Sequence, residues 1–268
     1  IEINADEFEY NKNKSILKAL GNIKLIDEAS QLIINAEKVL YLKKQQKIFI
    51  NGEVNAVIEN IYNIDSQNVL YDRNTMELSS DSPSKFNDNL GNKFSSVEFK
   101  YNILNKTIRA KKIQLVDFQN DLYNFQDAII DLKLNEIVGK DLSIKFNNQK
   151  FGNQENQPRL KGNVVYVNDN STIVKKGVFT TCKKTDKCPP WQLSAEKIQH
   201  DKKKQTINYK NAILKVYDVP VMYFPKFFHP DPTVERKSGF LFPQNNNSDV
   251  LGSSITQPYF KVISDNKD

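Results

Sequence analysis

Few residues of this chain are equipped for chemistry. Its two histidines, His200 and His229, stand 29 positions apart, with no carboxylate spaced to orient either ring as a base. Its two cysteines, Cys182 and Cys188, form a C-x5-C pair. Two thiols without a second pair or a nearby histidine make a poor zinc site, and a redox pair is more often C-x-x-C. No G-x-S-x-G, H-E-x-x-H, P-loop or G-x-G-x-x-G segment occurs. The expectation is a protein that is not an enzyme and uses no metal and no cofactor. The cysteines read better as disulfide formers. A local bridge closing seven residues contributes about 2.4 kcal/mol in the chain-entropy model, and one to a partner hundreds of residues away above ~4.7 kcal/mol. Either bond requires an oxidising compartment, as a secreted or periplasmic chain has.

These residues crowd into Val178–Pro243, with the only tryptophan, Trp191, and most of the prolines. What must position them is the long stretch before, and it is repetitive. INADEFEY at Ile3–Tyr10 returns as INAEKVLY at Ile34–Tyr41, 31 residues on, and Gly21 answers to Gly52. The same phase recurs in SQNVLY at Ser66–Tyr71, SVEFKY at Ser96–Tyr101 and SAEKIQH at Ser194–His200, with Asn211 in the glycine's place. Each unit offers a small residue, an apolar one three on and a ring five on. A polar turn such as NKNK follows, then a second strand. Apolar residues in IFINGEVNAVIENIYNI alternate with period two and are largely β-branched, so helix is excluded. The spacing predicts an all-β fold: a jelly roll or V-shaped roll of short antiparallel rungs, each touching its neighbours.

Such a roll has an interior and two exposed edges. Ile3, Ala5, Phe8, Tyr10, Ala36, Val39, Tyr41, Ile48, Ile50, Val57, Ile129 and Ile198 are the candidate lining, either as a plain packed core or as a groove. An edge strand is either capped or accepts a strand from another protein. The chain carries 38 Lys and Arg against 32 Asp and Glu, net +6. Lysines stand beside Glu, Asp and Asn, so the charge reads as a solvated face, and no nucleic-acid partner is expected. No apolar run approaches the ~20 residues of a spanning helix. Because the sequence starts at Ile1 inside a strand and stops at Asp268, the expectation is a chain whose leader has been removed or which is part of something longer.

At the junction, Trp191 opens the rung WQLSAEKIQH. NAILKVYDVPVMYFPKFFHPDP then brings Pro220, Pro225, Pro230 and Pro232, a density that excludes a helix and a central strand and predicts a rigid extended connector. Its aromatics, Tyr217, Tyr223, Phe224, Phe227 and Phe228, exceed what a free linker needs, so they pack on the fold or meet a membrane interface.

TTC…CPPWQLSAEKIQHD, NAILKVYDVPVMYFPKFFHPDP and RKSGFLFP together resemble the LptD family (also called OstA or Imp) of lipopolysaccharide-assembly proteins of the outer membrane. The matching elements are Trp191–Ala195, His200–Asp201, Val219–Pro225 with Pro230, and Arg236–Pro243; the junction residues are Trp191, Pro220, Tyr223, Pro225, Pro230, Arg236, Gly239 and Pro243. The resemblance implies an OstA-like roll over 1–216, a connector over 217–234 and the start of a transmembrane β-barrel over 235–268. It implies lipopolysaccharide as cargo, taken from a like-folded periplasmic bridge protein docking edge-to-edge on the N-terminal rung. A lipoprotein plug would be met through the barrel. It also implies placement at the outer membrane, with this portion mainly in the periplasm. In that family, cysteines of the N-terminal part pair with cysteines of the distant barrel; Cys182 matches that position and Cys188 is additional, so local and long-range pairing both stay open. A free-standing bridge protein of the same fold is the alternative, against which VPVMYFPKFF and RKSGFLFP stand; a structural β-solenoid is a further one.

Overall fold

The structure, a computed structural model, describes residues 1–89, 91–116, 120–147, 157–183, 190–230, 238–240, 244–248, 252–256 and 258–263. Among these the one helical segment is a 3-10 turn, Glu28–Ser30. The strands are β1 (Glu2–Asn4), β2 (Glu7–Asn11), β3 (Ile16–Asp27), β4 (Leu32–Leu42), β5 (Lys47–Ile58), β6 (Tyr62–Asp72), β7 (Glu77–Ser80), β8 (Ser84–Asn87), β9 (Lys93–Ser96), β10 (Glu98–Asn102) and β11 (Thr107–Val116). They continue as β12 (Leu122–Asp131), β13 (Glu136–Lys145), β14 (Arg159–Val167), β15 (Ser171–Thr180), β16 (Trp191–Asp201), β17 (Thr206–Val216) and β18 (Val219–Pro230). Four short strands follow: β19 (Gly239–Phe240), β20 (Gln244–Ser248), β21 (Gly252–Thr256) and β22 (Tyr259–Phe260).

From β3 to β18 the chain is an antiparallel meander, each long strand pairing with the next. Two rungs are broken. β7 and β8 together do the work of one strand against β6, with Pro83 in the gap, and β10 and β9 do the same against β11.

The long strands do not run straight. In β11 the inward residues are Ile108, Ala110 and Ile113, so alternation slips by one at Lys112, whose φ is 48°. Asp141, Lys176 and Asn211 take the same left-handed conformation (φ 51°) in β13, β15 and β17; Gly21 with Asn22 and Gly52 do so in β3 and β5. A left-handed residue mid-strand reverses which face the side chains take and bends the strand. Each long strand therefore has two halves whose inner faces oppose one another, and the sheet folds lengthwise into two arms around one core. The small-x-x-apolar-x-ring spacing of the sequence is this corner. In β4 it is Ala36, Val39 and Tyr41, in β6 Ser66, Val69 and Tyr71, all buried.

Turns at the tip of the first arm repeat as closely as the strands. An Asx residue opens most of them and accepts a backbone N–H: Lys14 N to Asn11 Oδ1 at 3.0 Å, Asn105 N to Asn102 Oδ1 at 2.9 Å, Lys204 N to Asp201 Oδ1 at 2.9 Å. Left-handed Ser15, Gln46, Met76, Lys106, Asn135 and Gln205 close them. Each turn also bonds to the one before it, as in Ile103 N to Met76 O and Leu132 N to Lys106 O, both 2.9 Å. Asn and Asp recur every thirty or so residues because this stack of turns consumes them.

The sheet continues through residues 219–230, where a connector was expected. Tyr217 (φ 46°) and Asp218 (φ 65°) form a two-residue hairpin turn, and β18 pairs with β17 along its length. The prolines exclude a central strand but not a strand: among the described residues β18 pairs with β17 alone, so they sit on an edge strand, where missing N–H donors are tolerated. Phe224 and Phe227, opposite Ala212 and Tyr209, anchor it to the core. At the other end β1 and β2 pair only with β3. Among the described residues nothing pairs with the outer side of either end, so both ends of the roll are open edges.

Candidate functional site

Among the described residues the most extensive feature is the apolar interior between the arms. It is a single apolar cluster from Ala19 to Ala212. Of the residues singled out in sequence, Ile48 and Ile50 are fully buried, and Ala36, Val39, Tyr41 and Ile198 are 9% exposed or less. Ile3 and Ala5 are partly buried at the first rung. Val57 and Ile129 face the other way. Each lies between two inward residues, Ala56 and Ile58, and Ala128 and Ile130, so strand alternation carries it outward, and Ile129 is 45% exposed. Leu25, Leu32, Ile34, Tyr71, Phe99 and Tyr101 belong to the interior and were not among the candidates. The ring position of the repeat marks both tyrosines.

Phe8 and Tyr10 carry the inner face to the N-terminal mouth. Phe8 lies opposite Ala19, whose other neighbour in register is Val39, so Phe8 and Val39 flank Ala19 on equivalent sites. Val39 is 4% exposed and Phe8 51%, because a rung covers the one and none covers the other. Asp6 holds this edge in place: its N–H bonds to Gly21 O at 3.1 Å, and its Oδ2 accepts from Asn22 Nδ2 at 2.7 Å. At the opposite mouth the Phe224 and Phe227 rings pack tilted at 33°, with centres 5.3 Å apart, and the Tyr209 ring lies 5.6 Å from Phe227. Burial pushes the Tyr209 hydroxyl well above the usual tyrosine range. It bonds to Nε2 of His229 at 2.9 Å, while His229 Nδ1 lies 2.6 Å from Pro230 O. The backbone carbonyl can only accept, so Nδ1 donates to it. His200 and His229 both face Ile207, on its two sides. The fold thus brings the histidines one strand apart, yet among the described residues no group of three His, Cys, Asp or Glu could hold a metal ion.

The arms are latched at their tips by polar groups. Tyr71 Oη donates to Asp27 Oδ2 at 2.8 Å, and Arg73 Nε lies 3.5 Å from the same oxygen. One rung on, Lys106 Nζ lies 2.8 Å from Glu59 Oε1. A separate surface depression of about 570 Å³, bordered by Lys112, Gln114, Asn124 and Asp141, sits at the strand corners and opens to solvent.

Trp191 begins β16 and packs edge-on against Phe179, ring centres 6.0 Å apart. Cys182 is half-buried beside it, Sγ 3.6 Å from Trp191 O. Pro220, Tyr223, Pro225 and Pro230 all lie on β18, and Tyr223 Oη donates to Asn211 Oδ1 at 2.8 Å. Gly239 pairs with Phe260. Cys188, Arg236 and Pro243 lie outside the described residues.

Architecture and site together define an all-β, two-armed roll of antiparallel rungs with a continuous apolar interior and, among the described residues, an unpaired edge at each end. No family model matches the chain. Among individual proteins it is similar to the LPS-assembly protein LptD of Polaromonas sp. (29% identical over 175 residues, 60% of this chain and 21% of the relative) and of Shewanella denitrificans (37% over 92 residues, 34% and 12%). The same protein of Pseudoalteromonas translucida is 28% identical over 184 residues, 65% of this chain and 24% of the relative. The chain is LptD-like over part of its length, and what it matches is less than a quarter of each of these relatives.

Proposed function

We propose that this chain is the periplasmic lipid-conducting roll of an outer-membrane lipopolysaccharide-assembly protein, guiding acyl chains through its interior towards a barrel. The observation that carries the reading is the inner face itself. It is apolar from Phe8 and Tyr10, 51% exposed at one mouth, to Phe224 and Phe227 at the other. Each acyl CH₂ kept from water is worth about 0.8 kcal/mol, so a lipid of several long chains gains some tens of kcal/mol from such a path. Transport of this kind makes and breaks no covalent bond. The arms are closed on each other, so lipid would enter by a mouth or by parting the latched tips.

In this reading a like-folded bridge protein adds a strand beside β1 and β2, covering Phe8 and Tyr10 as β4 covers Ala19. The roll runs through Pro230 and the barrel begins beyond it, where a lipoprotein partner would be met. Photo-crosslinking amino acids placed at Phe8, Tyr10 and Phe227 are expected to capture lipopolysaccharide, and the same probes at the outward Lys18 and Lys38 are not. Equal labelling of the two faces would sink the proposal.

A further inference from the structure

Directly opposed residues of the meander make straight rows across its outer face. One row on the first arm runs Glu98, Lys111, Asp127, Lys140, Val164, Lys175, Lys197, Lys210, Lys226. Its first half alternates in sign, and Lys111 Nζ sits 2.8 Å from Glu98 Oε2. Its second half, on β15 to β18, is four lysines in succession. Opposed side chains on neighbouring strands stand roughly 5 Å apart at Cβ, and like charges placed so repel. Among the described residues the one carboxylate at ion-pair distance from these four is Glu196, whose Oε1 lies 3.9 Å from Lys210 Nζ. Residues 159–230 hold 14 Lys and Arg against 5 Asp and Glu, a net +9 where the whole chain is +6. The rest of the chain is therefore net acidic, and the positive charge gathers at the C-terminal end of the roll.

An exposed ring flanks this row on β18: Phe228, 58% exposed, lies two residues from Lys226 on the same half of the strand and the same outer face. Lysines in a line with an exposed apolar ring beside them match a surface of phosphate headgroups over an apolar layer. We propose that the first arm's outer face of β15–β18 docks on an anionic phospholipid surface, with Lys175, Lys197, Lys210 and Lys226 meeting phosphates and Phe228 seated at the headgroup level. The face would hold the end of the roll against the membrane and set its orientation there. It stands apart from the interior, so it does not depend on what the interior conducts.

Flotation of this chain with vesicles tests it, using phosphatidylcholine alone and phosphatidylcholine with phosphatidylglycerol. Binding is expected only to the anionic vesicles, with loss in high salt. K175Q/K197Q/K210Q/K226Q is expected to weaken it at least about a hundredfold. K18Q/K24Q/K38Q/K85Q removes the same charge elsewhere and is expected to leave most of the binding in place. The row variant relieves repulsion, so its thermal transition is expected at or above that of the parent, which separates lost docking from lost folding. Inorganic phosphate at millimolar concentration is expected not to displace the vesicles; displacement would mean a site for a free anion instead. Equal binding to neutral vesicles, no binding to either kind, or equal losses in the two quadruple variants would each overturn the proposal.

Discussion

The hydroxyl of Tyr71 donates a 2.8 Å hydrogen bond to the carboxylate of Asp27, joining the tips of the two arms across 44 residues of sequence. Tyr71 is fully buried and Asp27 is 2% exposed. Ser30 Oγ lies 3.2 Å from the same hydroxyl, and Arg73 reaches the same carboxylate while its Nη1 donates to Gln46 Oε1 at 2.8 Å and Tyr41 Oη at 3.3 Å. A buried carboxylate is tolerable in an apolar roll only with partners of this kind.

Tyr71→Phe removes one donor and leaves Arg73 in place, so a loss of about 1.5–3 kcal/mol is expected in urea unfolding. Asp27→Ala is expected to cost more, about 3–5 kcal/mol, because Arg73 Nε has no hydrogen-bond partner and loses its counter-ion. The double variant should fall short of the sum of the two. Strict additivity would show that the two groups do not act together.

Burial pushes the Tyr71 hydroxyl up to about 12 and raises Tyr101 and Tyr209 too. An unfolded tyrosine ionises near 10, so between about 10 and 12 the folded chain holds protons that the unfolded one has released. Stability is then full below pH 10 and falls as pH rises through that window. Urea midpoints taken from pH 8 to 11.5 should decline at the upper end, and less steeply for Tyr71→Phe. A flat profile would contradict the assigned burial.

Gly162 faces the interior, where an added Cβ would stand 2.1 Å from Val174 Cγ1 and 3.3 Å from Lys175 O. Gly162→Ala is expected to cost about 1–3 kcal/mol by overpacking, and Val174→Ala in the same chain to recover part of it. Gly52 differs: its φ is 89° and nothing lies within 4 Å of the added Cβ. Gly52→Ala should cost about 1–2 kcal/mol from backbone strain alone, with no second-site rescue by a smaller neighbour. Thermal unfolding of the three variants separates the two causes.

Phe8 and Tyr10 are half exposed, so Phe8→Lys with Tyr10→Lys is expected to leave stability within about 1 kcal/mol. If lipid enters at that mouth, capture of lipopolysaccharide by a photo-crosslinker at Val39 should fall severalfold in the same variant. Undiminished capture at Val39 would place entry elsewhere, at the latched tips or the other end.

Much of the architecture is legible in the repeat. Small residues at Ala36 and Ser66, apolar ones three on and tyrosines five on predict the inner face, because the step of three is what a bent strand needs to turn both halves inward. Val57 and Ile129 were misplaced for a reason of the same kind. A period-two pattern fixes alternation but leaves the phase open when both faces carry β-branched residues. The prolines of β18 pointed to extended chain with an open side, but its membership of the sheet depends on Phe224 and Phe227 finding Ala212 and Tyr209.

Sequence by itself determined the repeat of strands and turns up to the proline-rich stretch and the apolar character of the inner face, since these follow from side chains a few positions apart. Tertiary structure alone decided which residues meet. Tyr71 finds Asp27, His200 and His229 flank Ile207, and lysines that look scattered among acids and amides fall into a single line. Register sets those meetings, and register is fixed by the packing of the whole sheet.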